Sequence, residues 1–177
     1  MKVIELKPNH TKYINSIETI LIDAFGEDRP GKWMEDIEKS FKKDRISLVA
    51  INDTDVVIGW IGGIKQYDGN VWELHPLVVH KNFRKIGVGT LLIKNFESEV
   101  KHRGGITIWL GSDDENNQTS LSEINLYEDL YNKIENIENK NNHPFEFYKK
   151  LGYKIVGVMP DANGIGKPDI FLAKRVK

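Results

Sequence analysis

The sequence L-V-V-H-K-N-F-R-K-I-G-V-G-T, residues 77–90, most constrains how this chain can fold. An apolar strand leads directly into a glycine-rich turn, and the turn opens an amphipathic helix. Gly87 and Gly89 lack a Cβ, so several backbone N–H groups can point at one anion at the positive end of the helix. This layout predicts a binding site for a phosphorylated ligand.

The spacing of the glycines argues against two common phosphate-binding patterns. A dinucleotide fingerprint G-x-G-x-x-G needs Gly or Ala at position 92, where this chain has Leu92. A Walker A loop needs glycine where the chain has Asp161, and Gly166-Lys167 is followed by Pro168. What remains is R-x-x-G-x-G after a strand, and its alternative interpretation is a plain turn with a glycine at the helix start.

Composition limits the class of protein. At 177 residues, with 40% hydrophobic and 29% charged residues, the chain is predicted to form one domain over 1–177. The net charge of −1 disfavours a strongly basic nucleic-acid binder. No apolar run approaches the roughly 18 residues that span a membrane, and the N-terminus has no apolar signal region. We therefore expect a cytoplasmic protein that binds neither nucleic acid nor membrane.

The absence of cysteine removes several chemistries. With 0 cysteines the chain has no disulfide scaffold, no thiolate zinc site and no cysteine nucleophile. We expect no metal. No G-x-S-x-G elbow is present either, so any acyl transfer is interpreted as direct attack by the acceptor on the bound acyl donor.

Hydrophobic periodicity predicts alternating helices and strands, and hence a mixed α/β fold. Strands are predicted at 3–6, 47–52, 56–67, 72–79, 106–110, 153–158 and 169–173. Helices are predicted at 13–25, 32–42, 88–103, 126–137 and 144–151.

Three further motifs make a family resemblance specific. They are W-E-L-H-P-L-V-V at 72–79, H-P-F-E-F-Y-K-K-L-G-Y at 143–153 and K-P-D-I at 167–170. With the glycine loop and the order of elements, they resemble the GNAT superfamily of N-acetyltransferases, and within it the aminoglycoside 6′-N-acetyltransferase branch of the enterococcal type. The resemblance implies a mostly antiparallel twisted sheet, splayed at its fourth and fifth strands and flanked by helices.

The resemblance also implies acetyl-CoA as co-substrate. Its pantetheine arm is expected along Leu77, Val78 and Val79. Its pyrophosphate is expected on the loop formed by Arg84, Lys85, Ile86, Gly87, Val88, Gly89 and Thr90.

Catalytic roles follow from the resemblance and from strand alternation. Alternation predicts Glu73, His75 and Leu77 on one face, with Glu73 and His75 about 7 Å apart. An attacking amine must lose a proton, and the match to the family makes Glu73 the candidate base. His75 is a candidate positioning residue. The resemblance implies that the Leu77 N–H donates to the oxyanion, at a bulge in this strand. Pro76 is consistent with a bulge there, because it has no N–H to pair with the neighbouring strand. A solvent-facing glutamate and a structural histidine are the alternatives.

Tyr148 matches the family's general acid for the leaving thiolate. Its alternative role is helix packing. Tyr153 is the competing candidate, although its place in L-G-Y is typical of a core aromatic.

Charge indicates the acceptor. Between 104 and 132 there is no Lys or Arg, while acidic residues crowd the stretch and could attract a polycation. Candidate substrate-binding residues are Glu27, Tyr67, Glu73, Asp113, Asp114 and Asp169, with Asp28 beside the first. The branch tends to place a tryptophan near the substrate where this chain has Phe25, with Trp33 further on. A solvated acidic face remains the alternative.

Three functions stay open at this point. The first is acetylation of aminoglycosides, with antibiotic resistance as its consequence. The second is acetylation of a polyamine, a peptide N-terminus or a protein lysine, and the third is a non-catalytic acyl-CoA-binding module. Relatives in the branch are dimeric, so a homodimer is expected.

Overall fold

The computed structural model describes residues 1–26 and 31–177 of the chain. These residues divide into two units, 1–108 with 176–177 and 109–175. The candidate substrate residues Glu27 and Asp28 lie outside the described residues. Within that described part, none of the helices combines the length and apolarity that crossing a membrane requires.

The described part of the first unit is an antiparallel meander with three α-helices. Its strands are β1 (Lys2–Glu5), β2 (Arg45–Ile51), β3 (Val57–Gln66) and β4 (Val71–Val79), paired in that order. Its helices are α1 (Thr11–Phe25), α2 (Lys32–Lys39) and α3 (Val88–His102). Apolar residues at spacings of three and four give each helix one buried face.

Both faces of this sheet are packed. On one face α1 and α2 cover a buried cluster that includes Ile17, Leu21, Ile37, Val49 and Trp60. The opposite face is covered by α3, whose Leu92, Ile93 and Phe96 are fully buried. Because neighbouring strand residues alternate between faces, near-continuous apolar runs in β2 and β3 are what a sheet covered on both sides requires.

Two glycines of β3 permit close contacts. A Cβ at Gly63 would overlap the Phe96 ring of α3, so helix and sheet approach closely only without a side chain there. A Cβ at Gly62 would lie 2.5 Å from the His75 carbonyl oxygen of β4. These contacts explain why the strand tolerates consecutive glycines despite their entropic cost.

The second unit continues from β5 (Thr107–Asp113), which begins in the first unit. The Thr107 N–H donates to the Asn70 carbonyl at 3.1 Å, which sets the start of β5 beside the start of β4. The unit then contains α4 (Leu130–Glu135), α5 (Phe145–Lys150), β6 (Lys154–Met159) and β7 (Asp169–Arg175), with β6 and β7 antiparallel. Its buried hydrophobic residues are Leu110, Leu121, Leu126, Phe145, Tyr148, Tyr153, Ile170 and Leu172.

The predicted mixed α/β class with a mostly antiparallel sheet is confirmed. Helix 32–42 is shorter than predicted, because the chain leaves the helix at Ser40, whose hydroxyl donates to the Ile37 carbonyl at 2.6 Å. The predicted helix at 126–137 is wrong, since α4 spans only Leu130–Glu135. A single domain over 1–177 stays a prediction.

The chain before α4 is held in turns by local polar contacts. The Asn125 carboxamide accepts the Tyr127 N–H at 3.0 Å, and Asp129 adopts a left-handed φ of 50°. Such Asx contacts compete with helical hydrogen bonds, so the apolar period starting at Leu126 does not extend the helix. Leu126 is buried, but from a turn.

We predict that Gly63→Ala lowers the free energy of unfolding by about 1–3 kcal/mol, because the methyl group forces Phe96 away from its packed position. Gly157→Ala in β6 is the matched control, since its Cβ would meet its nearest neighbour, Phe171, at an ordinary 3.8 Å. Urea unfolding of both variants measures the difference. Equal stability losses would contradict the packing argument.

Candidate active site

A β-bulge in β4 lies at the centre of the candidate site. In the β3–β4 ladder Gly63 pairs with Leu74 and Ile61 pairs with Leu77, so His75 and Pro76 together oppose the single residue Gly62. The extra residue is what defines a bulge, and Pro76 has no N–H to contribute to the ladder. The bulge expected near Pro76 is therefore present.

The bulge changes which side chains share a face. Glu73 pairs with Ile64, whereas Leu77 pairs with Ile61, three positions away and thus on the opposite face of β3. The prediction that Glu73, His75 and Leu77 share one face is wrong for Leu77. Unbroken alternation was assumed, and the inserted residue reverses the alternation beyond His75.

Glu73 is half-buried and hydrogen-bonded. Its Oε2 accepts from the Gln66 Nε2 at 2.7 Å. His75 is exposed, while Leu77 and Val79 are partly buried and Val78 is buried. The sequence predicts a role for Glu73 but not for Gln66, the residue before Tyr67. The available signal for Gln66 was a polar side chain at a strand end.

The glycine loop after β4 exposes backbone N–H groups. Lys85 and Gly87 adopt left-handed φ values of 62° and 91°, and no described side chain caps α3 at Gly87. The first intrahelical bond runs from the Leu91 N–H to the Gly87 carbonyl at 2.9 Å. The amides of Val88, Gly89 and Thr90 precede that bond, as the first N–H groups of a helix do.

Cationic residues precede these amides in the sequence. Arg84, Lys85 and Lys81 are all exposed, and the Arg84 Nε donates to the Val79 carbonyl at 3.2 Å, which ties the loop to the end of β4. Lys81 also pairs with Asp23 of α1 at 2.8 Å. The hydrogen bond from Lys81 to the Asp23 carboxylate is the larger cause of a lowered pKa for Asp23, and the positive charge of Lys81 is the second cause. The loop fits an anionic ligand such as a pyrophosphate.

Tyr148 of α5 is buried among aromatic rings. Its ring centroid lies 5.2 Å from that of Phe147 and 5.8 Å from that of Tyr153, both edge-on. Burial raises the pKa of Tyr148 well above its ordinary value of 10.0. The phenol is therefore protonated throughout the working pH range, which a proton donor requires.

Asp114 organises the acidic stretch after β5. Its fully buried carboxylate accepts the backbone N–H groups of Gln118 at 2.6 Å and Thr119 at 2.8 Å, and also the Ser122 hydroxyl. Burial opposes ionisation, but the hydrogen bonds from Ser122, Gln118 and Thr119 outweigh it and lower the pKa of Asp114. The carboxylate oxygens thus hold residues 114–122 in place.

A buried histidine, His143, contacts the backbone at the start of the same acidic stretch. The His143 Nε2 lies 3.1 Å from the Asp113 carbonyl, and its Nδ1 accepts the Phe145 N–H at 3.2 Å. Burial lowers the pKa of His143, so the neutral ring donates through Nε2. The Asp113 side chain accepts from Asn163 at 2.6 Å and is exposed. Sequence analysis assigned no role to His143.

The remaining candidates differ in exposure. Tyr67 lies in the β3–β4 turn with a left-handed φ of 46° and 75% of its surface exposed. Asp169, at the start of β7, is partly buried and leaves no space for a side chain at Gly111, where a Cβ would lie 2.5 Å from its Oδ2. In the first unit the structure brings Glu73 into contact with Gln66, the residue that precedes Tyr67.

We predict that Asp114→Asn lowers the free energy of unfolding by about 3 kcal/mol at pH 7, because the amide leaves a buried loop donor without an acceptor. The folded-state pKa of Asp114 lies below 3.8, so its stabilisation is complete above that value and is lost as the pH falls through the folded-state pKa.

Thermal unfolding from pH 7 to pH 2 checks this prediction. The gap between the melting temperatures of the parent and Asp114→Asn should narrow at the acid end of the series. Glu115→Gln, at an exposed neighbour, is the control. A gap that does not depend on pH would contradict the ionised state of Asp114.

Known proteins resemble this chain over its whole length. Residues 14–131 match the acetyltransferase (GNAT) family. An aminoglycoside 6′-N-acetyltransferase crystallised with coenzyme A is 43% identical to this chain, with a TM-score of 0.96. The match covers 100% of this chain and 98% of that protein's chain. The enzyme from Enterococcus faecium is 42% identical with a TM-score of 0.94 and the same coverage, 100% and 98%.

A third solved structure, an aminoglycoside 6′-acetyltransferase type Ii, is 38% identical with a TM-score of 0.79 and covers 100% of this chain and 98% of its own. A comparison with curated proteins gave no match.

Proposed function

The chain belongs to the acetyltransferase (GNAT) family, and on this premise we propose that it transfers the acetyl group of acetyl-CoA to the 6′-amino group of an aminoglycoside. The choice of an aminoglycoside as acceptor is supported by sequence identity: over its full length the chain is 43% and 42% identical to two aminoglycoside 6′-N-acetyltransferases. Such a reaction modifies an antibiotic and gives resistance to it.

The co-substrate is proposed to bind at β4 and the glycine loop. The amides of 87–90, with Arg84 and Lys85, hold the pyrophosphate, and Ile86 contributes exposed apolar surface beside them. Residues 77–79 of β4 hold the pantetheine arm. The left-handed Gly87 and the uncapped start of α3 are the features of this chain that support the assignment.

The chemistry is a direct transfer. Glu73 takes a proton from the ammonium of the acceptor, and the freed lone pair forms the new C–N bond at the thioester carbonyl. The C–S bond then breaks, and the leaving sulfur takes a proton from Tyr148. The second proton of the attacking nitrogen is lost as the amide forms, and it returns the Tyr148 phenol to its protonated state. The oxyanion formed in between accepts from the Leu77 N–H, a donor typically worth about 3–4 kcal/mol. His75, beside the bulge, orients the acceptor.

Acidic side chains are proposed to attract the polycationic acceptor. Asp113 and Tyr67 are exposed. The partly buried Asp169 is proposed with them, and Glu27 is proposed from sequence alone. Asp114 is buried, so we propose that it contributes by holding the acidic loop in place. Electrostatic attraction of this kind weakens as salt is added.

We also propose that the enzyme is a cytoplasmic homodimer. Tyr127 and Tyr131, just before and within α4, are 74% and 86% exposed and offer aromatic surface that a partner subunit could cover. Sedimentation equilibrium that reports only a monomer would reject the dimer.

We expect the purified protein to release free thiol from acetyl-CoA when a kanamycin-type aminoglycoside is added. A panel containing the aminoglycoside, spermidine and a lysine peptide distinguishes the acceptor classes. Release with spermidine or the peptide but not with the aminoglycoside would replace the proposed acceptor. If no acceptor in the panel causes release of free thiol, the proposed acetyltransferase activity is rejected.

We predict that Tyr148→Phe lowers kcat by about 10²- to 10⁴-fold, the usual worth of general acid catalysis, without loss of helicity or melting temperature. The hydroxyl is removed while the buried ring is retained. Tyr153→Phe is the matched control in the same aromatic cluster and should keep most of the activity. Equal turnover by Tyr148→Phe and the parent at saturating substrate would rule out the acid role.

A further inference from the structure

The Glu73 carboxylate is held by a side chain from the neighbouring strand. The register pairs Ile64 with Glu73 and Gln66 with Val71, so Gln66 and Glu73 are diagonal neighbours on one face. At that spacing a long side chain reaches across, and the Gln66 Nε2 donates to the Glu73 Oε2 at 2.7 Å.

The backbone on both sides of Gln66 is fixed. The Lys65 N–H donates to the Asp44 carbonyl at 2.8 Å, and after Gln66 the turn closes with the Asn70 N–H on the Tyr67 carbonyl at 3.1 Å. Tyr67 and Asp68 both adopt left-handed φ values, 46° and 56°. Gln66 is therefore the last residue of a strand that ends in a tight, defined turn, so its backbone has a fixed position beside β4.

A carboxamide suits this position chemically. It donates a hydrogen bond at every working pH and has no charge, so it engages one carboxylate oxygen without neutralising the base as a lysine would. The bond occupies Oε2 and leaves Oε1 of Glu73 able to accept a proton from a substrate ammonium. A carboxylate with one oxygen fixed also loses most of its rotational freedom before the substrate arrives.

We propose that Gln66 is the positioning residue of the catalytic base, which orients the Glu73 carboxylate toward the amine of the acceptor. This proposal rests on the proposed function. Gln66 lies at the end of β3, outside both the glycine loop and the acidic stretch, and so is an additional residue with a role in the reaction.

The test combines a donor deletion with a double-mutant cycle. Gln66→Met keeps the length of the side chain and removes the donor, and we expect kcat to fall about 10- to 100-fold, the usual worth of a hydrogen bond to a charged group. The KM for acetyl-CoA should be unchanged, because the glycine loop is untouched. In a Glu73→Gln background, Gln66→Met should produce no further loss of kcat.

Ile64→Met is the matched control. Ile64 pairs directly with Glu73, so this variant alters the packing beside the base but no hydrogen bond to it. We expect it to keep the parent kcat. Thiol release by all five proteins is measured at saturating aminoglycoside and acetyl-CoA, with melting temperatures recorded for each.

The outcomes separate the two proposals. If the parent releases no thiol with any acceptor, the proposed function is rejected and the role of Gln66 is rejected with it. If the parent is active and Gln66→Met has the parent kcat, only the role of Gln66 is overturned. An equal loss from Gln66→Met in the parent and in the Glu73→Gln background would show that Gln66 acts through the fold, which also overturns the proposal.

Discussion

The close approach of β3 and β4 at Gly62 is the constraint on which the first unit's chemistry depends. A side chain at Gly62 would meet the His75 carbonyl at 2.5 Å, so only glycine allows two residues of β4 to oppose one residue of β3. The bulge reverses the alternation of side chains. As a result Glu73 points to the opposite face from Leu77, and the strand presents a carboxylate and an apolar edge in different directions.

Charge is segregated along the chain in a way that suits two differently charged reactants. The glycine loop concentrates Arg84, Lys85 and helix N–H groups, which favour phosphate. The stretch after β5 concentrates carboxylates, and it is held in shape by the buried and hydrogen-bonded Asp114. Buried polar groups that satisfy several backbone donors give such a loop a defined conformation, so exposed acids such as Asp113 keep fixed positions.

Local signals predicted most of the fold. Strand and helix patterns and the glycine loop were readable, because each depends on neighbours in sequence. The bulge was expected from the family resemblance, with which a proline that has no N–H agrees. Three features were not readable from the sequence. The reversed face of Leu77 depends on the pairing with β3, the short α4 depends on Asx turns before Leu130, and the contact of Gln66 with Glu73 joins two strands. Each of these requires knowledge of cross-strand register or side-chain hydrogen bonding.

The position of the added acetyl group on the product distinguishes 6′-N-acetylation from every other acyl transfer. The purified protein is incubated with acetyl-CoA and a kanamycin-type aminoglycoside, and the product is examined by mass spectrometry and two-dimensional NMR. We expect a single added acetyl group on the 6′-nitrogen. An acetyl group on another nitrogen or on oxygen, or an unmodified aminoglycoside, would contradict it.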